Sequence, residues 1–166
     1  MKATTRKQRQ QRGQALVEFT LGVVVLLLLV GGLVDLGRMY FAYAAASEGA
    51  REGVIYGSTA GGAAGTAPSV DAIRDRVRKS SSWLSTLADE DIEIKYCTGS
   101  GSSKSCTDAE SASSSLKCSN VDDMHSIQVT VTYPLPLVGP LTAAMFANPF
   151  PVRATEEAVI LSPPCP

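Results

Sequence analysis

Histidine is almost absent: the 166-residue chain holds one, His125. The G-x-S-x-G, H-E-x-x-H, Walker A and dinucleotide-binding glycine patterns are absent too. Residues Gly99 to Ser105 contain glycine, serine and lysine, but not in the order of a phosphate-binding loop. The adjacent acids Asp122-Asp123 and Glu156-Glu157 point to opposite faces in a strand, so they do not converge. His125 falls at a predicted strand start, where a solvated or capping role is usual. No enzymatic activity, cofactor or small-molecule substrate is expected. Charge is missing in two places. Residues 1–12 hold no acid but five bases, Lys2, Arg6, Lys7, Arg9 and Arg12, against a net charge of −1 for the chain. From Ala15 to Val34 the only charge is Glu18, and Asp35 closes the run.

The run of 20 residues from Ala15 to Val34 would be about 30 Å long as a helix, the thickness of a bilayer's hydrocarbon core. A basic N-terminal arm suits nucleic acid, but an apolar run directly behind it favours a membrane. Nucleic-acid binding is therefore not expected. Positive residues stay cytoplasmic, so the N-terminus is predicted inside and everything after Asp35 outside. A cleaved secretory signal is the main rival. Its apolar region is shorter, about 7 to 15 residues, and Asp35, Arg38 and two tyrosines separate this run from the small-residue site Ala44-Ala45-Ala46.

Glu18 lies four residues into the run, where a carboxylate is unfavourable. One reading is snorkelling to the interface, which lowers its cost but does not explain its presence. The other uses Gly13. A cut between Gly13 and Gln14 makes Glu18 the fifth residue of the mature chain. Its carboxylate then pairs with the free amine of a neighbouring subunit in a low dielectric.

The stretch Gly13-Gln14-Ala15-Leu16-Val17-Glu18-Phe19 resembles a type IV prepilin processing site. More narrowly, residues 12–57 resemble the TadE-like family, minor pilins or pseudopilins of the tight adherence (Tad/Flp) pilus. The "GQALVEF" start, the "DLGRMYFAY" exit, the "AAASEGAREG" tract and the late "VTVTYPLPLVGP" all fit. Phe19 stands where the major Flp pilins carry tyrosine, and those are shorter, so the resemblance points to a minor component. It implies that Gly13 ends the leader, Gln14 begins the mature chain and Glu18 is the assembly glutamate. It also implies partners: a prepilin peptidase, other pilin subunits, the Tad assembly machinery and the membrane. The implied place is the bacterial cell membrane, in a single pass, with the C-terminal domain extracytoplasmic.

The helix is expected to continue past the membrane to residue 57. Ala45, Gly49, Gly53 and Gly57 fall four apart on one helical face, a spacing that lets helices pack closely. Residues 58–69 read as a Gly/Ala-rich linker. Val70, Ile73, Val77 and Leu84 predict an amphipathic helix of about four turns, its Arg and Lys a solvated face more readily than a polyanion site. Residues 91–97, 125–137 and 150–161 predict strands, the second ended by Pro134 and Pro136, with a short helix or turn between the last two.

The four cysteines Cys97, Cys106, Cys118 and Cys165 suit disulfides in an exported domain, in any of three pairings. Zinc with His125 as a fourth ligand fits poorly, because the spacings are not those of structural zinc sites. The Ser/Gly-rich loop 97–118 is poorly ordered unless cysteines pin it.

The expected fold class is α+β. A leader (1–13) and a transmembrane and extended helix (14–57) precede the linker and a small external domain (70–166) of about three antiparallel strands with a covering helix. The expected function is that of a minor pilin, processed after Gly13 and taking part in pilus assembly and surface adherence. The alternatives are an uncut membrane-anchored binding domain and a soluble domain released near residue 47.

Overall fold

A computed structural model describes residues 3–59, 67–118 and 124–161 of the chain. Most of the linker, the stretch 119–123 and Cys165 lie outside the described residues. The elements are α1 (Ala3–Thr59), α2 (Val70–Ser80), β1 (Ile92–Thr98), β2 (Ser105–Asp108), β3 (Ser126–Leu135), α3 (Pro140–Met145) and β4 (Phe150–Val159). They fall into two compact units. One is Met1–Arg38 with Pro136–Phe150, the other Met39–Leu135 with Pro151–Pro166.

In the first unit, Leu and Val dominate α1 from Leu16 to Leu36, and nearly all of them are exposed. An apolar helix exposed over most of its surface suits lipid, because its backbone amides are bonded within the helix. Among the described residues, one helix is long and apolar enough to cross a membrane, and its most apolar window is 0% buried in the chain. The short α3 begins on Gly139 with proline in its first turn, where the missing amide costs nothing. It ends at Phe146, whose amide donates to the Thr142 carbonyl at 3.0 Å.

The second unit is a four-stranded sheet in the order β2-β1-β3-β4. This corrects the expectation of three strands. The extra strand, β2, lies in the loop that composition alone marks as poorly ordered. Its four residues, Ser-Cys-Thr-Asp, carry no apolar alternation. Register and covalent chemistry hold it instead: Cys106 sits directly opposite Cys97 of the antiparallel β1, and a disulfide joins them. Strand β3 lies within the expected bounds and passes through Pro134 to end at Leu135, just before Pro136. Its pairing with β1 stops at Val131, so the missing Pro134 amide falls beyond that ladder.

The core gathers side chains from both helices and the sheet. Ile73 and Val77 of α2, Ala46, Ala50 and Val54 of α1, and Ile92, Ile94, Tyr96, Ile127, Val129 and Val131 of the strands form one buried cluster. Two helices therefore cover the sheet, where one was expected. Helix α2 has 11 residues, about three turns, not four. Ser69 caps its start by accepting the Ala72 amide at 3.2 Å. At its end the Ser80 hydroxyl donates to the Val77 carbonyl at 2.7 Å, and Ser81 is extended. Serine hydroxyls compete for helix carbonyls in this way. Leu84 thus reaches the core from a turn, with its amide on the Ser81 carbonyl at 3.0 Å.

Candidate assembly and anchoring site

Gly13, Gln14 and Glu18 are consecutive parts of α1, and Gln14 and Glu18 are one helical turn apart. Glu18 is exposed and makes no ion pair among the described residues. A carboxylate beside Leu16, Val17 and Phe19 with no partner among the described residues is open to a charge from another chain.

Seventeen residues further on, Asp35 is the opposite case. It is 1% exposed. Its Oδ1 accepts the Val138 amide at 3.1 Å, and its Oδ2 accepts the Gly139 amide at 2.8 Å. The Thr142 hydroxyl donates to the same oxygen. Arg38 stands 3.8 Å away, one turn along, and donates to the Pro136 carbonyl at 3.0 Å. Three donors and a cation thus stabilise a carboxylate at the end of the apolar run. The residues after β3 are fastened to α1 by this cluster. Gly139 is required there, because a Cβ would stand 2.7 Å from both Asp35 Oδ2 and Thr142 Oγ1.

The small-residue face meets this chain's own second helix and sheet. A Cβ on Gly49 would lie 2.4 Å from Leu84, one on Gly53 2.7 Å from Val77, and one on Gly57 2.5 Å from Ile127. Ala45 is half-buried beside them. In this structure the three glycines lie close to α2, the turn after it and β3 of the same chain.

Cys97 and Cys106 are bonded to one another, and Cys118 is not free. His125 is buried, with Nδ1 2.9 Å from the Cys118 carbonyl oxygen. Among the described residues no group of three or more His, Cys, Asp or Glu is placed to hold a metal ion. The basic face of α2 is neutralised. Arg74 pairs with Glu110, Arg76 with Glu52, Arg78 with Asp89 and Lys79 with Asp75. Glu156 and Glu157 diverge: Glu156 accepts from Ser47, Glu157 from Ser126 and Lys104.

Sequence reasoning placed Asp35 at the end of the run but found no role for it. The signal was divided between the "DLGR" exit and the "VGPLT" segment, more than a hundred residues apart. No curated protein and no solved structure matches this chain. Residues 13–54, from the proposed cleavage glycine through the apolar run to the glycine-lined face, match the TadE-like protein family.

Proposed function

We propose that this chain is a minor pilin, or pseudopilin, of a Tad/Flp type IV-like pilus. The family match carries the reading: it begins at Gly13 and takes in Glu18 and the whole apolar run. The apolar helix α1, the one span of its kind among the described residues, supports single-pass anchoring in the bacterial membrane. The basic arm supports an N-terminus inside and a sheet domain outside. A prepilin peptidase cuts after Gly13 and frees the Gln14 amine. Glu18, which makes no ion pair among the described residues, then pairs with that amine on a neighbouring subunit. The chain takes part in pilus assembly and surface adherence through contacts with other pilins and the Tad machinery.

The test is the intact mass and N-terminal sequence of the chain, made with and without the prepilin peptidase. A start at Gln14 that needs the peptidase supports the reading. An uncut N-terminus in both cases overturns it in favour of a membrane-anchored domain that never enters a fibre. A start near residue 47 overturns it in favour of a released soluble domain.

A further inference from the structure

The cluster at Asp35 fixes more than a loop end. Pro140 and Thr142 line an apolar cleft of about 270 Å³ together with Val24, Leu27, Leu28 and Gly31 of α1. Leu28 is seven residues before Asp35, about 10 Å back along the helix. The start of α3 therefore lies alongside the apolar run itself.

Three further observations fit that position. First, the segment is apolar on its free side: Val138 is 71% exposed, Met145 69% and Phe146 51%. Second, there is no Asp, Glu, Lys or Arg anywhere in residues 124–152. Third, the backbone is largely self-satisfied. Pro136, Pro140 and Pro149 have no amide to satisfy. The Leu137 amide donates to Asn148 Oδ1 at 3.1 Å, and the Val138 and Gly139 amides donate to Asp35. The Ala143 and Phe146 amides donate to carbonyls four residues back. An exposed aqueous loop has no need of such provision, whereas a segment in lipid does. Non-helical backbone at membrane depth persists only where its polar groups find partners in the protein.

We propose that residues 136–149 form an interfacial segment lying in the leaflet at the Asp35 end of α1, with Val138, Met145 and Phe146 among the acyl chains and the cleft filled by lipid. The proposal rests on the membrane-anchoring reading of α1 and is independent of cleavage at Gly13. Asp35 acts here as the positioning residue that holds the segment against the helix.

Depth-dependent fluorescence quenching tests it. The full chain, with Trp83→Phe as background, carries one tryptophan, at Phe146→Trp, Met145→Trp or Leu21→Trp. Each variant is reconstituted in phosphatidylcholine and phosphatidylglycerol vesicles whose chains are brominated near the headgroup or near the bilayer centre. Leu21→Trp reports the anchor. The expected result is blue-shifted emission from Phe146→Trp and Met145→Trp, quenched more by the shallow bromines than by the deep ones. Quenching at Leu21→Trp with water-like, unquenched emission at both α3 positions overturns the proposal and leaves the anchor standing. An unquenched Leu21→Trp overturns the anchor and the proposal together. The two α3 positions guard against one variant failing to fold, which circular dichroism and the Cys97–Cys106 disulfide monitor.

Discussion

Asp35 Oδ2 and the Gly139 amide lie 2.8 Å apart, although 104 residues separate them in the chain. A buried charge joined to backbone amides is a strong fastening, because removing the charge strands the donors. Asp35→Ala is expected to weaken the local fold around Val138 and Gly139 by about 2 kcal/mol, or about 30-fold faster amide exchange. Hydrogen–deuterium exchange of those two amides in detergent measures this. Gly139→Ala acts in the same direction, since its methyl would stand 2.7 Å from Asp35 Oδ2. Unchanged exchange in both variants would show that the fastening is dispensable.

The glycines of α1 divide into two kinds. A Cβ at Gly53 would press 2.7 Å from Val77 Cγ2, while at Gly22 it would meet nothing within 4 Å. Valine has little rotamer freedom to yield, and Val77 is fully buried. Gly53→Ala is expected to lower stability by about 1 to 3 kcal/mol through overpacking. Gly22→Ala is expected to lower it not at all, since alanine is the better helix former. Urea unfolding of the two variants side by side separates these outcomes.

The disulfide sets the order of β2. Replacing both Cys97 and Cys106 by alanine is expected to cost about 2 to 3 kcal/mol, the value for closing a loop this short. Amides of Thr107 and Asp108 should then exchange faster than those of β3, which has partners on both sides. Equal protection across the sheet would show that β2 stands on its hydrogen bonds alone.

Two carboxyls tie the sheet domain's stability to pH. Partial burial pushes Glu157 up, but its hydrogen bonds with Lys104 and Ser126 outweigh this and hold it below the ordinary value. The hydrogen bond from Arg78 holds Asp89 low as well. Both groups bind protons less readily folded than unfolded. Their contribution is complete above about pH 4.5 and is lost as pH falls through the folded values. The urea midpoint should therefore drop on acidification below that point, and Glu157→Gln should flatten part of the drop. An equal slope in Glu157→Gln would remove Glu157 from the account.

Glu18→Ala tests the proposed pairing directly. The variant should insert and be trimmed as before, since Gly13 and the apolar run are intact. It should be missing from isolated pili, read by immunoblot of the sheared fraction. Wild-type amounts in that fraction would leave Glu18 with no part in assembly.

What was legible in the sequence follows the range of the interactions. The apolar run of α1 and the alternation of β3 are local patterns, and both elements stand where the pattern predicts. Helix α2 ends one turn sooner than its spacing predicts, because Leu84 keeps the helical spacing while the serines at 80 to 82 break the helix. Strand β2 left no pattern, since its partner and its disulfide hold it and its own side chains do not. The glycine spacing in α1 does not say which surface lies against it, and here that surface is α2, the turn after it and β3. The contacts of Asp35 were the least legible, because two of its three hydrogen-bond donors are backbone amides, which no residue type advertises.

The sheet is bounded by β4 on its far side, and that strand is poorly suited to recruit another. Pro151 offers no amide, and Arg153, Glu156 and Glu157 place charges along the rest. Such an edge resists pairing with a copy of itself. Many copies crowded side by side can therefore touch along β4 without zipping β4 to β4 into a continuous sheet.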